Sequence, residues 1–275
     1  DQDLPSTRYG LNRVAYPAGD RLVSAEKPKP PVETQFGKDF METYMLRLSA
    51  LVALIPAALF VFRTSPKRDL VFWSVLGVAL VGTLSWVYVR QSAGWSTGIA
   101  TALWLTTAAC LILFAFVSAI SEDAWRWTPL LLPYLLVLAI LATAWGQAPE
   151  VPLTGGLPLA WIGIHIAVSV ATYALVTLAA VGSLAAAMQQ RAIKSKARTP
   201  FSRMLPSVAG SEKLVVNLLL ASVIVLAVGL ATGMATQFLE TGNLLLIDHK
   251  TTFAFAVFAV LLVLLFLHYR TGLRG

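Results

Sequence analysis

Seven long apolar runs, at 43–62, 70–89, 98–120, 128–146, 158–188, 214–237 and 251–269, leave this chain few ways to fold. Each is close to or above the ~20 residues that a helix needs to cross a bilayer. Only 13% of the 275 residues are charged, and those charges sit almost wholly between the runs. A water-soluble domain of this length needs charge along its helices to cover a wet surface. In lipid, by contrast, the backbone must satisfy its own hydrogen bonds, and a helix does so within one segment. The expected fold is therefore all-α: a polytopic transmembrane helical bundle of about seven spans.

The formal net charge is +7 and the isoelectric point about 9.7. In a soluble domain that balance would suggest nucleic acid; here no nucleic-acid partner is expected, because the positive charge lies almost wholly outside the apolar runs. Arg63, Lys67 and Arg68 lie in 63–69, and Arg191, Lys194, Lys196, Arg198, Arg203 and Lys213 in 189–213. Arg270 and Arg274 lie in the tail. The alternate connections hold only Arg90, nothing at 147–157, and Lys250. The 121–127 connection has Arg126 offset by Glu122 and Asp123. The positive-inside rule then puts 63–69, 121–127, 189–213 and the C-terminus in the cytoplasm, and the N-terminus outside. Lipid is an expected partner throughout, and the basic inner loop suits anionic headgroups.

Residues 1–40 are of a different character: polar, without an apolar period, and carrying Pro5, Pro17, Pro28, Pro30 and Pro31. They read as a disordered or docked tail, ahead of a transmembrane domain at 41–275. Met41 would make a natural initiator, so an upstream extension and a genuine outer arm both remain open for 1–40. Along the spans, Pro66 suits a hairpin turn, Pro129 suits a first helical turn, and Pro56 and Pro133 are expected to bend their helices. Trp73, Trp86, Trp95, Trp125, Trp127, Trp145 and Trp161 fall near predicted helix ends and read as an interfacial belt. The single cysteine, Cys110, reads as core packing. There is no phosphate loop, metal quartet, catalytic triad or internal repeat, so no enzymatic turnover is expected.

Polar and ionisable groups within spans are the informative exceptions. His165, Ser169, Thr172, Tyr173 and Thr177 fall at i, i+4, i+7, i+8 and i+12 of the fifth run, which predicts one face turned toward the bundle interior. The sixth run carries GLATG at 229–233, whose Gly229 and Gly233 suit a close helix–helix approach. Asp248, His249 and Lys250 open the seventh run, with Asp248 a natural N-cap. His165 and His249, both expected at the outer rim, could supply two axial positions to a haem iron or act in separate steps. His268 lies 19 residues after His249, about 28 Å along a helix, and cannot share their site. Arg47 reads as an interfacial anchor that snorkels outward.

The stretch WIGIHIAVSVATYALVTLAAVGSLAAAMQQRAIK (161–194), LPS (205–207), GLATGMATQFLETG (229–242) and DHKTTFAFAVFAVLLVLLFLHYRTGLRG (248–275) resembles the cytochrome c assembly protein family. These are the CcsA- and HemX-type membrane proteins, with a YpjD-like inner-membrane branch. The resemblance covers 161–275; the earlier spans agree in hydropathy. It implies a bacterial inner-membrane, multi-pass protein that handles haem b and works with cytochrome c maturation proteins or other membrane subunits. It implies cofactor-binding roles for His165, Tyr173, His249 and His268, with His165 as an outer and His268 as an inner haem-iron ligand. The tryptophan-rich outer loop of larger members is replaced here by GNLLLI, and histidine stands at 249 where the family has proline. The family pattern also implies a further span beyond RTGLRG. The functional expectation is a haem-handling protein in cytochrome c biogenesis or haem homeostasis. The alternatives are a non-catalytic scaffold or accessory subunit and, with less support, a small-solute transporter lined by the fifth-run stripe.

Overall fold

A computed structural model describes residues 32–63, 67–92, 96–148, 151–152, 159–196, 199–242 and 249–271. The chain divides into two compact units, Asp1–Phe40 and Met41–Gly275. In chain order the elements are α1 (Val32–Leu59), a 3₁₀ turn (Phe60–Phe62), α2 (Leu70–Ser92), β1 (Ser96–Thr97) and α3 (Ile99–Ile120). A second 3₁₀ turn (Ala124–Trp127), α4 (Thr128–Ala144), β2 (Val151–Pro152) and α5 (Leu159–Lys194) follow. The short α6 (Pro200–Met204), α7 (Val208–Thr241) and α8 (His249–Thr271) complete the order. The two-residue strands pair antiparallel, Ser96 with Pro152 and Thr97 with Val151; the described residues are otherwise helical or in turns. Among them, six helices are long and apolar enough to cross a membrane. This is an all-helical, multi-pass membrane protein.

The first apolar run differs from expectation at both ends. Helix α1 starts at Val32, so residues 32–40 of the polar segment are helical. It ends at Leu59, where the chain tightens into the 3₁₀ turn, and its apolar stretch, Tyr44–Leu59, is shorter than the other six. Helices α5 and α7 run past their apolar limits toward each other, to Lys194 and from Val208. Hydropathy marks where lipid ends, not where helix ends: Gln189, Gln190, Arg191 and Ala192 are good helix formers. The new end is capped, since Ser207 Oγ accepts from Gly210 N–H at 3.1 Å. At its other end α7 closes on Gly242 with φ +73°, whose N–H donates to the Phe238 carbonyl. This left-handed stop favours glycine. Pro129 occupies the first turn of α4 as expected. Pro66, Trp95, Asp248 and most of the 149–158 loop lie outside the described residues.

The α1–α2 corner shows how a connection is fixed. Asp69 Oδ1 accepts from the Phe72 N–H at 3.1 Å, capping α2, while Arg63 grips the same carboxylate at 3.0 and 2.6 Å. The Arg63 hydrogen bonds, and after them the Phe72 N–H, hold the Asp69 carboxyl down at about 2. A carboxyl whose folded value is depressed contributes stability above its unfolded value of about 4. That contribution fades as pH falls from there through about 2.

Inside the bundle, size matching is strict. Trp127 is fully buried, its Nε1–H donates to Ser211 Oγ at 3.4 Å, and its ring lies against Gly182 of α5. A Cβ at Gly182 would meet the Trp127 ring and Val215 Cγ2, both at 2.7 Å. Helices α1 and α2 approach likewise, since a Cβ at Gly82 would stand 2.6 Å from Ala53 Cβ. Phe72 gathers Phe60, Trp73, Phe114 and Trp125 edge to face at the other end of α2. The expected tryptophan belt is therefore incomplete. Trp86 and Trp127 are core residues, because their faces of α2 and the second 3₁₀ turn point at neighbouring helices and not at the headgroups. Helix α8 stands apart: it packs mainly on α7, and Leu261 is its one buried residue among those described. An apolar surface on all sides is what lipid contact allows.

Two outcomes follow from this packing. Gly182→Leu forces the Trp127 ring or α7 to shift and is expected to lose about 1–3 kcal/mol, read as a lower thermal midpoint of the purified full chain. Asp69→Asn keeps a capping oxygen but loses the ion pair, so the decline in thermal midpoint between about pH 4 and 2 is expected to become shallower than in wild type.

Candidate functional site: His165 at the α5–α7 seam

The seam between α5 and α7 is the most extensive helix contact in the structure. Its register is constant. Trp161 Nε1–H donates to Thr236 Oγ1 at 2.8 Å, and His165 Nδ1 meets Thr232 Oγ1 at 3.0 Å. Farther along, Val168 lies beside Gly229 and Gly182 beside Val215. Every step along α5 is matched by an equal step back along α7. The two helices thus run antiparallel without drift over residues 161–182, about 30 Å at 1.5 Å per residue. That is the thickness of a bilayer's hydrocarbon core.

The glycines of GLATG make this approach possible, and Gly233 does so at the histidine itself. A Cβ there would lie 3.2 Å from His165 Cε1, so the imidazole lies against bare α7 backbone. Thr232, between the two glycines, is the α7 hydrogen-bond partner of the ring. Its hydroxyl donates to the Gly229 carbonyl at 3.0 Å. With that proton on the carbonyl, Thr232 Oγ1 is the acceptor for His165, and a neutral imidazole then carries its proton on Nδ1 and a lone pair on Nε2; with the proton turned to the ring the roles reverse. Thr236 repeats the arrangement one turn on, donating to the Thr232 carbonyl at 2.8 Å while accepting from Trp161. These bonds are worth about 1 kcal/mol each across helices in a membrane, and here they also orient a ring.

The remaining residues singled out by sequence are scattered. Ser169 and Thr172 turn their hydroxyls back to the carbonyls of His165 and Val168, and Thr172 is buried. Tyr173 is 58% exposed. At 100° per residue it sits about 80° around the helix from His165, enough to leave the α7 seam. His249 is exposed as the first residue of α8. It stands at the end of the bundle where α7 finishes, the same end as His165. His268 is half-buried in the last turn of α8, its ring edge to face with Tyr269 at 5.8 Å. Separated from His249 by nearly all of α8, it belongs to the opposite end. Among the described residues no three His, Cys, Asp or Glu side chains gather as they would around a bare metal ion.

Thr232 went unremarked in the sequence because it sits inside a glycine motif read for its spacing alone. The signal was present: a hydroxyl three residues after Gly229 can reach that glycine's carbonyl, and its antiparallel partner on α5 is a histidine.

This seam, within a bundle of long apolar helices, defines a membrane protein with one oriented histidine between two helices. The model of the cytochrome c assembly protein family matches residues 68–275, and the chain belongs to that family. The match begins at α2, well ahead of the 161–275 segment in which the motifs are legible. A 28.8 kDa protein of Azospirillum brasilense, described as an uncharacterized protein in a nifR3-like 5′ region, is 49% identical over 233 residues, covering 83% of this chain and 86% of that one. No solved structure matches the chain. Family and architecture together fit a membrane protein of cytochrome c biogenesis.

The seam itself makes a prediction. Thr232→Val is nearly isosteric and removes the acceptor for His165 Nδ1–H; it is expected to cost about 1 kcal/mol. Gly233→Val, which drives a side chain into the ring, is expected to cost more. Thermal midpoints of the two variants in one detergent check the order.

Proposed function

We propose that this protein takes up haem b through His165, as a step in cytochrome c biogenesis or haem homeostasis in a bacterial inner membrane. The observation that supports this reading is the Thr232 hydroxyl within 3.0 Å of both His165 Nδ1 and the Gly229 carbonyl; with its proton on the carbonyl, Nε2 is the ligand atom. The residues present fit a haem in kind. A neutral, oriented imidazole is the usual axial ligand, and a hydrogen bond from its other nitrogen raises its basicity. The imidazole packs on the bare Gly233 backbone, where a Cβ would come within 3.2 Å of its Cε1. Bound haem would supply an iron that His165 would hold.

The work of this chain's residues is to bind and to position. Thr232 holds the tautomer, Trp161 and Thr236 fix the seam one turn away, and the apolar ends of α5 and α7 exclude water from the ring. His249, exposed at the same end, is the candidate for a second axial contact or for hand-over to a partner. His268, at the opposite end, would serve a separate inner site. Tyr173, on the outer side of α5, would act only at the edge of such a site.

The orientation in this reading has the outer end at His165 and His249. It is supported by the excess of arginine at the opposite end, where Arg63, Arg68, Arg126 and Arg270 stand against Arg47 and Arg90 at this one. Such an excess is the pattern of a cytoplasmic interface. The shorter Tyr44–Leu59 stretch would be the first of seven spans.

Visible absorption of the purified full chain after haemin addition tests the proposal. Wild type is expected to give a saturable Soret band. His165→Ala is expected to lose the high-affinity component, and Thr232→Val to weaken it about tenfold. Binding unchanged by His165→Ala, or no binding by wild type, would overturn it and leave the accessory-subunit reading.

A further inference from the structure

A cleft lies away from the α5–α7 seam, at the end of the bundle where α2 stops and α3 starts. The last turns of α2, the first turns of α3, Arg47 of α1 and the end of α4 wall it, and its volume is about 340 Å³, counted to its open mouth. Helix ends of a spanning bundle stand at the headgroup level of a bilayer. The two arginines on the wall are already engaged. Arg47 lies over the Trp86 ring at 5.5 Å, and Arg47 and Arg90 each hold further interactions of their own. They give the cleft its charge, not its open bonding positions.

The open positions belong to two neutral side chains, one from each helix. Trp104 of α3 is 3% exposed, and its Nε1–H has no acceptor. The Oε1 of Gln91, from α2, is buried and has no donor. Both side chains line the cleft. A buried indole N–H ordinarily finds a partner, and a buried polar atom left unmet in a native structure calls for an explanation. The indole is held in place: Trp104 stands edge to face with Trp86 at 6.3 Å, and Trp86 lies under the Arg47 guanidinium. Gly146, just past α4, leaves the room that this guanidinium takes, since a Cβ there would collide with it. Turning the indole away would break this stack.

We infer that this cleft binds a neutral alcohol carried on an apolar body, through one hydroxyl set between α2 and α3. The hydroxyl oxygen accepts from Trp104 Nε1–H and its proton goes to Gln91 Oε1, so a single group completes both. Charged ligands complete only half. An anion accepts from Trp104 and leaves Gln91 Oε1 facing negative charge. A cation donates to Gln91, leaves the indole N–H unmet and meets two guanidiniums. Val87, Leu105, Ala100 and Ala142 on the walls suit an apolar body. The free hydroxyl of an acylglycerol has this chemistry and lies at this depth in a bilayer. Neither Trp104 nor Gln91 belongs to the α5–α7 seam, so this site is independent of the haem proposal.

The test is a titration of the purified full chain in an amine-oxide detergent, which carries no hydroxyl of its own. The probes are dioctanoylglycerol, with one free hydroxyl, and its acetate ester, in which that hydroxyl is capped. The readouts are the thermal midpoint and the indole N–H signal of Trp104 in protein with nitrogen-labelled tryptophan, assigned by its loss in Trp104→Phe. Dioctanoylglycerol is expected to raise the midpoint saturably and to move the Trp104 signal downfield; the acetate is expected to do neither. Trp104→Phe and Gln91→Met are each expected to weaken binding about tenfold, the loss of one hydrogen bond. Gln91→Met keeps the side chain's length and removes an unmet polar atom, so without ligand its midpoint is expected to stay at or above that of wild type. An acetate that matches the alcohol in both readouts overturns the inference. No response to dioctanoylglycerol, the result for a cleft that holds water alone, overturns it too, as does wild-type affinity in both variants.

Discussion

A bilayer offers no water to a polar group, so each one carried into it must find its partner in protein. The α5–α7 seam is built by that constraint. Two glycines bring the backbones together, two threonines turn their hydroxyl protons back onto their own helix, and the freed oxygens accept from Trp161 and His165. Apolar attraction cannot set the register here, because lipid is as apolar as leucine. The crossing hydrogen bonds and the glycine contacts set it, and the register holds from Trp161 to Gly182. The same bonds that fix the helices also fix the imidazole.

The rest of the bundle is arranged around this pair. Helix α3 packs on α5 and carries α2 and α4 with it, while Trp127 locks the far end of the seam by filling the space above Gly182. Helix α8 leans mainly on α7 and turns most of its surface outward. The two ends of the molecule then differ in chemistry. One gathers four arginine–aromatic pairs and the Arg63–Asp69 corner. The other holds His165 and His249, with Arg47 over Trp86.

Much of this was legible in the sequence. Hydropathy marks lipid contact, and six apolar runs became helices long enough to span. The family was legible from 161 onward, because His165, the GLATG motif, Asp248 with Lys250, and His268 keep the family's order and spacing. Other features were not legible, for physical reasons. A helix continues past its lipid-facing part when good helix formers and a cap follow, as at Lys194 and Ser207. A tryptophan near a helix end has the same composition signal whether it faces headgroups or, like Trp127, the core. The stripe from His165 to Tyr173 drifts about 80° around the helix, so its last member leaves the seam that its first defines. Thr232 and Trp104 drew no attention because their importance lies in what stands opposite them.

The central claim is that Thr232 holds the proton of His165 on Nδ1 and leaves Nε2 for iron. With three histidines in the chain, solid-state nitrogen NMR of histidine-labelled protein in bilayers can read each ring separately, with His249→Gln and His268→Gln for assignment. The account predicts a proton on His165 Nδ1 that Thr232→Val releases, and an Nε2 signal that changes on haemin addition. A proton found on Nε2, or a haemin response confined to the other two rings, would contradict it.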